Sequence, residues 1–304
     1  MKRTLITLTA LFLLAGNFVS AQNNYFRITF NIGYGTLPTY TPPGADKLLS
    51  AQLAQQAFLY IKDSTNMEFR YSYAGCEKRA QAISLLLKGK NIPHYKIWNF
   101  DPSIISLFNK KQRPTVPNNT HLSPTVFWPY HVGVTLFVKN GAKTDTMVID
   151  PAVSATLISF RQWLGLQNAP NSYYTFLDPV WYNFMSVNQF KYNGDPMPNN
   201  FPHLLTGDFA KNDGISLDSL WVEEALAVNK TAMHMINDKV DAVTAPDDPR
   251  KLAYTKLIAN FDNLTAALKG KVPADFPYGA ELTPYQTEFN TIRAYWKNRL
   301  APLR

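Results

Sequence analysis

The feature that most constrains the fold is a pair of β-rich segments joined by Asn140-Gly141. Apolar residues alternate with other residue types from Val132 to Val138, and a second β-rich segment runs from Thr144 to Ile149. Asn-Gly between two such segments is a strong local signal for a two-residue turn, because both residues tolerate the positive φ angles that this turn requires. The sequence therefore predicts an antiparallel hairpin in this part of the chain.

The predicted hairpin brings a histidine and an aspartate together. His131 lies nine residues before Asn140, and Asp150 lies nine residues after Gly141. A turn made of Asn140 and Gly141 would make His131 and Asp150 direct cross-strand partners on one face, with Cβ atoms about 4.5–5.5 Å apart. A carboxylate at that distance can orient the imidazole and stabilise its charged form. The alternative is a solvated surface pair that contributes little.

Cys76 is the only cysteine of the chain and begins a predicted helix. Apolar side chains recur after it at helical spacing, at Ala80, Ile83, Leu86 and Leu87. Gly89 then provides a C-terminal stop signal. The helix dipole and the unpaired N–H groups of a first turn favour a thiolate, and Lys78 and Arg79 add positive charge. We therefore expect a nucleophilic cysteine; the alternative is a small buried apolar residue.

Cys76, His131 and Asp150 follow one another in the order of a Cys-His-Asp acyl-transfer enzyme. The local motifs are Gly75-Cys76, Arg79-Ala80, Trp128-Pro129-Tyr130-His131-Val132 and Ile149-Asp150-Pro151. This set resembles the bacterial protein-glutaminase (protein-glutamine deamidase) family, with similarity from Ala45 to Phe190. The resemblance implies an α+β fold with a transglutaminase-like (papain-like) core, in which the nucleophile-bearing helix packs on an antiparallel sheet.

By the same resemblance, Cys76 is the nucleophile, His131 the general acid/base and Asp150 the orienting acid. Members of the family are secreted and hydrolyse the side-chain amide of protein-bound glutamine to glutamate and ammonia. A thioester forms on the cysteine, and water then releases glutamate. The implied partners are protein or peptide substrates with exposed glutamine.

Three aromatic residues adjoin the predicted catalytic residues in sequence and are predicted to bind substrate: Tyr73, Trp128 and Tyr130. Packing in the protein core is the alternative for each of them. The backbone N–H of Cys76 is the predicted first donor to the oxyanion, and the sequence does not identify a second donor.

The N-terminus predicts export. Lys2 and Arg3 precede an apolar stretch from Leu5 to Ala15, and Val19-Ser20-Ala21 offers small residues before a cut ahead of Gln22. This is the pattern of a secretory signal peptide, and the apolar stretch is too short for a membrane span. We therefore expect a secreted or periplasmic protein without a stable membrane anchor. An unpaired cysteine in such a compartment is consistent with catalysis, or with pairing between molecules.

Composition and the remaining histidines limit the other function classes. The formal net charge of +8 falls to +6 without Lys2 and Arg3, and no dense basic segment interleaved with aromatic residues is present, so nucleic acid is not an expected partner. The other histidines form no HExxH pattern: His94, His121, His203 and His234. We therefore expect no metal and no other cofactor.

The predicted organisation has four parts. A signal peptide (1–21) precedes an N-terminal strand and Pro/Thr-rich linker (22–44), a catalytic domain (45–195) and a C-terminal helical region (196–304). The catalytic domain is predicted to contain helices at 46–62, from Cys76 onward and at 157–166, a strand at 94–98 and a long loop at 99–127. Helices at 216–243, from near Pro249 to Leu268 and at 283–300 would form a small bundle or pack on the core.

Two other readings fit the same residues. A transglutaminase or a cysteine protease would use the same triad with an amine as acceptor or a peptide as substrate, because these reactions differ in pocket shape rather than in nucleophile. A non-catalytic binding module would keep the fold, and its Cys76 would be unreactive. The sequence predicts neither the oligomeric state nor the role of the C-terminal helices.

Overall fold

An antiparallel sheet flanked by helices organises the computed structural model, which describes residues 43–100, 115–117, 125–127, 130–167, 173–177, 179, 191–192, 195–196 and 214–303. The strands are β1 (Tyr95–Phe100), β2 (Thr115–Pro117), β3 (Thr125–Phe127), β4 (Tyr130–Asn140), β5 (Lys143–Ile149), β6 (Ile158–Ser159), β7 (Tyr173–Leu177), β8 (Lys191–Tyr192) and β9 (Asp195–Pro196). The helices are α1 (Ala51–Ser64), α2 (Cys76–Lys88), α3 (Phe160–Leu166), α4 (Gly214–Met235), α5 (Pro249–Ile258), α6 (Phe261–Leu268) and α7 (Thr283–Leu300).

Five of these strands form one sheet in the order β6-β5-β4-β1-β7, with antiparallel neighbours throughout. The pairs β2–β3 and β8–β9 are separate, and β2–β3 lies within the predicted long loop. Helices and an antiparallel sheet in one chain confirm the predicted α+β class.

The β4–β5 hairpin is present, but its turn lies one residue later than predicted. Asn140 pairs with Lys143, so Gly141 and Ala142 form the loop, with Gly141 at a φ of +60°. Asn140 stays in the strand, where its side-chain amide donates to Asp145 Oδ2 at 2.8 Å. The turn therefore uses the glycine of the Asn-Gly pair as its first residue rather than its second.

This turn moves the strand register by two residues, and the predicted direct pairing of His131 with Asp150 is wrong. Val134 lies opposite Ile149, so the position across from Asp150 is that of Gly133. Because side chains alternate with a period of two, an even shift leaves His131 and Asp150 on the same face of the sheet.

Helix α2 begins at the predicted residue, Cys76, and packs its apolar side chains on the sheet. Gly75 precedes it in the left-handed conformation, with a φ of +86°. The core beneath α2 combines side chains of α1, α2 and β4, including Phe58, Ile61, Ile83, Leu86, Leu87, Val132, Val134 and Leu136. Burial of this face holds the N-terminus of α2 against β4.

Local capping explains where α1 and α3 begin. The predicted helix at 46–62 starts at Ala51, because the Ser50 side chain accepts from the Leu53 N–H, and only a short 3₁₀ turn lies at Ala45–Lys47. The predicted helix at 157–166 starts at Phe160, after strand β6, with Ser159 and Gln162 forming a capping box.

The C-terminal helices form a bundle of their own and also contribute to the sheet core. Helices α4 to α7 surround one apolar cluster, and α4 and α7 add four side chains to the core beneath α2: Val222, Leu226, Trp296 and Leu300. The helix predicted from near Pro249 to Leu268 begins at Pro249 but is divided into α5 and α6, because the Asn260 side chain caps α6 by accepting from the Asn263 N–H. Helix α7 has the predicted bounds, and α4 continues into a π-helical turn at Ile236–Asp241.

Several predictions concern residues outside the described ones. These are the signal peptide, the N-terminal strand, most of the linker and Trp128. The four-part domain division stays a prediction. Among the helices that are described, none is both long enough and apolar enough to span a bilayer.

Candidate active site

His131 and Asp150 form a buried hydrogen-bonded pair. His131 Nε2 lies 2.7 Å from Asp150 Oδ2, and both side chains are almost fully shielded from solvent. The two residues are diagonal rather than direct cross-strand neighbours, a spacing that longer side chains can bridge. Gly133, which lies across from Asp150, has no side chain to stand between them. The contact predicted from the sequence is therefore made through a different register.

Trp163 of α3 binds the same carboxylate and was not identified from the sequence. Its Nε1–H donates to Asp150 Oδ2 at 2.8 Å, and its ring stacks on the His131 imidazole with centroids 5.5 Å apart and planes inclined by 24°. The Ala152 backbone N–H donates to the other oxygen, Oδ1, at 3.3 Å. Asp150 thus has three hydrogen-bond partners: His131 Nε2 and Trp163 Nε1 share Oδ2, and the Ala152 N–H donates to Oδ1.

The close approach of Trp163 depends on Gly133. A Cβ atom at position 133 would lie 2.8 Å from Val148 Cγ1 and 3.3 Å from Trp163 Cζ2. The first distance is shorter than any normal carbon–carbon contact, so a side chain here would displace the strand or the indole. From the sequence alone, a tryptophan indicates only that its N–H will need a hydrogen-bond acceptor if the ring is buried. The sequence does not indicate that Asp150 is this acceptor.

Two side-chain amides, those of Asn99 and Gln167, join the strand next to His131 to helix α3. Asn99 of β1 is the direct cross-strand partner of His131 and is fully buried. Its Nδ2 donates to Gln167 Oε1 at 3.0 Å, and Gln167 Nε2 donates to the Trp163 carbonyl at 3.0 Å. These bonds tie the end of α3 to the strand beside the histidine.

Cys76 lies at the junction of α2 and β4. Its sulfur is in backbone hydrogen-bond contact with Val132, the residue after His131, and its thiol donates to Glu77 Oε2 at 3.4 Å. Burial is the main cause that raises the pKa of the Cys76 thiol well above its usual value, and the Glu77 carboxylate raises it further. The Arg79 charge and the Val132 bond act in the opposite direction.

The pKa direction of Cys76 is opposite to the one predicted from the helix N-terminus. Arg79 does lower this pKa, as expected, but desolvation of the sulfur and the negative charge of Glu77 are larger effects. The resting side chain is therefore a thiol, and it must transfer its proton during a nucleophilic attack.

The turn before Cys76 is shaped by glycine and arginine. Gly75 has no side chain that could cap α2, so its first-turn N–H groups are not used by an N-cap side chain. Arg79 Nη1 donates to the carbonyl oxygens of Tyr71 at 3.1 Å and Ala74 at 3.3 Å. Arg79 thus holds this turn through backbone carbonyls.

Two of the three predicted substrate-binding residues, Tyr73 and Tyr130, lie within the described part of the chain. Tyr73 is half-buried, and its ring packs against Tyr71 and the apolar cluster of the C-terminal helices. Tyr130 begins β4, and Trp128 lies outside the described residues.

Within the ranges that the structure describes, no three His, Cys, Asp or Glu side chains come together as a metal site would require.

A family model described as glutaminase matches residues 54–167. The matched segment contains Cys76, His131, Asp150 and Trp163, and the match confirms the resemblance that the sequence motifs indicate. No curated protein sequence matches the chain.

Three solved structures illustrate the similarity. The NMR structure of protein-glutaminase from Chryseobacterium proteolyticum is 16% identical, with a TM-score of 0.40, over 67% of this chain and 94% of that chain. A crystal structure of protein-glutaminase is 15% identical, with a TM-score of 0.41, over 67% of this chain and 95% of that one. A crystal structure of pro-protein-glutaminase is 15% identical, with a TM-score of 0.40, over 69% and 66% of the two chains.

Proposed function

We propose that this chain is an exported amidohydrolase that converts protein-bound glutamine side chains to glutamate and ammonia through Cys76, His131 and Asp150. The observation that carries the proposal is the buried 2.7 Å bond between His131 and Asp150. His131 precedes Val132, which contacts the Cys76 sulfur, and Cys76, His131 and Asp150 all lie in the segment that matches the glutaminase model. We also propose that the helix and sheet around these residues form a transglutaminase-like core.

The hydrogen bond to Asp150 assigns the two nitrogens of His131 to different tasks. Nε2 carries a proton toward Asp150 Oδ2, so Nδ1 is the nitrogen that exchanges a proton with substrate groups. Because Cys76 rests as a thiol, its proton moves to Nδ1 as the sulfur attacks the carbonyl carbon of the glutamine carboxamide. Asp150 then stabilises the imidazolium that forms.

The tetrahedral intermediate carries its negative charge on the former carbonyl oxygen. The backbone N–H of Cys76 is the first donor to this oxygen, since no side chain of Gly75 occupies the first turn of α2. The intermediate collapses when His131 donates its proton to the departing nitrogen, which leaves as ammonia. The acyl group remains on the sulfur as a thioester.

Hydrolysis of the thioester reverses the roles of the same groups. Neutral His131 removes a proton from water, and the resulting hydroxide attacks the thioester carbon. The second intermediate collapses to glutamate, and the Cys76 sulfur regains its proton. No cofactor is needed for either half of the reaction, because every proton is carried by His131.

The proposal is tested by ammonia release from a glutamine-rich protein in amine-free buffer, with the mature chain, Cys76→Ala and Asp150→Asn compared. Free glutamine serves as a second substrate. We expect release from protein-bound glutamine only and its loss in Cys76→Ala. Incorporation of a labelled amine without hydrolysis would favour a transglutaminase, and new peptide termini would favour a protease. No ammonia together with an inert thiol would favour the non-catalytic binding module.

A further inference from the structure

The turn that carries Cys76 is enclosed by the C-terminal helices. Asn229 of α4 is fully buried, and a Cβ atom at position 75 would lie 3.4 Å from both Nδ2 and Oδ1 of its amide. The amide orientation that satisfies its neighbours has Oδ1 accepting from Arg79 Nη1 at 3.0 Å and Nδ2 donating to the Ala225 carbonyl at 3.2 Å. Asn229 therefore contacts both residues that shape the turn, Gly75 and Arg79.

Arg79 transmits this contact to the backbone before the nucleophile. The same Nη1 that reaches Asn229 donates to the carbonyl oxygens of Tyr71 and Ala74. The guanidinium charge also lowers the pKa of the Cys76 thiol, against the effect of burial. A displaced Arg79 would thus change both the path of the turn and the charge that the sulfur experiences.

Tyr71 provides a second attachment at the other end of the same turn. Its hydroxyl donates to the carbonyl of Ile258 at 2.8 Å, and its ring packs with Phe261. Ile258 is the last residue of α5, where a carbonyl has no partner within the helix, so this bond satisfies both groups. The turn before Cys76 is therefore attached through Tyr71 and Arg79 to helices that lie beyond the segment matched by the glutaminase model.

We propose that the C-terminal helices position the nucleophile, with Asn229 acting through Arg79, and α5 acting through Tyr71. This inference rests on the proposed function in treating Cys76 as the nucleophile. It gives the C-terminal region a role in the reaction site rather than in stability alone, because the contacts end on the turn and on the charge beside the sulfur.

The test is the rate at which iodoacetamide alkylates Cys76 in the full chain, measured across pH. Asn229→Leu keeps the side-chain volume and removes the acceptor for Arg79, so we expect about tenfold slower alkylation near neutral pH and a profile moved to higher pH. Thr231→Val is the matched control, since Thr231 is equally buried on α4 and its hydroxyl has no hydrogen-bond partner within the described ranges. This control should alkylate at the wild-type rate.

A double-mutant cycle separates positioning from a general loss of structure. If Asn229 acts through Arg79, then adding Asn229→Leu to Arg79→Met should cause no further slowing. Wild-type alkylation by a folded Asn229→Leu chain would overturn the inference. If circular dichroism shows that Asn229→Leu does not fold, Tyr71→Phe replaces it in the test, because this variant loses only one hydroxyl. Slower alkylation of Tyr71→Phe would support the inference, and alkylation at the wild-type rate would overturn it.

Ammonia release by the same proteins distinguishes this inference from the proposed function. A wild-type chain that alkylates normally and releases no ammonia would end the deamidase proposal, while the alkylation rates would still decide whether the helices position Cys76. A wild-type thiol that does not react at all would overturn both.

Discussion

The indole N–H of Trp163 donates to Asp150 Oδ2, the same oxygen atom that accepts from His131 Nε2. One carboxylate oxygen therefore joins the proposed acid/base to a fully buried tryptophan of α3. Because the indole also stacks on the imidazole, it fixes the plane of the ring as well as the position of its partner. This arrangement makes Trp163 a positioning residue for the proposed triad.

Trp163→Phe should lower kcat for ammonia release about 10- to 100-fold, since a hydrogen bond to a charged group contributes about 1.5–3 kcal/mol. The phenyl ring retains much of the stacking, so KM for a protein substrate should change little. Trp296→Phe is the matched control, because Trp296 is equally buried in the core but belongs to α7. Equal kcat values for the two variants would refute a positioning role for Trp163.

Glu77→Gln should move the pH profile of Cys76 alkylation to lower pH. The Glu77 carboxylate accepts a hydrogen bond from the Cys76 thiol at 3.4 Å, and its charge raises the pKa of Cys76. A neutral amide at position 77 should therefore leave more of the thiol ionised at a given pH. Glu288→Gln removes a carboxylate from α7, where its partner is His234, and should leave the profile unchanged. A profile that moves to higher pH would contradict the assigned direction.

Cys76 should also make the folded chain less stable at alkaline pH. Its pKa is higher in the folded state than in the unfolded state, so its stabilising contribution is complete below the unfolded value and is lost as pH rises toward the folded one. The free energy of unfolding of the wild type should therefore fall relative to Cys76→Ser above about pH 8.5, the ordinary range of a thiol. Urea unfolding of both proteins across pH measures this difference; a constant difference would contradict it.

The elements that the sequence predicts best are those with local signals. Alternation and an Asn-Gly pair were sufficient for the β4–β5 hairpin, and the start of α2 at Cys76 follows from its apolar spacing. The register was not predictable in the same way, because Asn140 remains in its strand through a side-chain bond to Asp145 that spacing does not reveal. The predicted and observed registers differ by two residues, which is one full period of side-chain alternation. His131 and Asp150 therefore still share a face of the sheet, as predicted.

The parts of the site that the sequence did not predict are non-local. Trp163 reaches Asp150 because Gly133 leaves room for the indole, and that space exists only after the strands have paired. The pKa direction of Cys76 likewise depends on how deeply the sulfur is buried, whereas the sequence showed only the charges beside it. Helix starts and breaks, by contrast, had sequence signals in Ser50, Ser159 and Asn260.

Gly133→Ala should destabilise the fold by about 1–3 kcal/mol, the usual range for an overpacked core, because its Cβ would meet Val148 Cγ1 at 2.8 Å and the Trp163 ring at 3.3 Å. Adding Val148→Ala removes the closest of these atoms and should restore part of the free energy of unfolding relative to Val148→Ala alone. Ammonia release should stay low in the double variant, since the contact with Trp163 remains.

Gly165→Ala is the matched control for that substitution, because Gly165 lies in α3 with nothing within 4 Å of an added Cβ. It should leave activity unchanged and stabilise the helix by about 0.5–1 kcal/mol. Thermal unfolding and ammonia release for the four variants give both readouts. If Gly133→Ala were as stable and as active as Gly165→Ala, the close approach of Trp163 to β4 would not be what holds Asp150 and His131 in place.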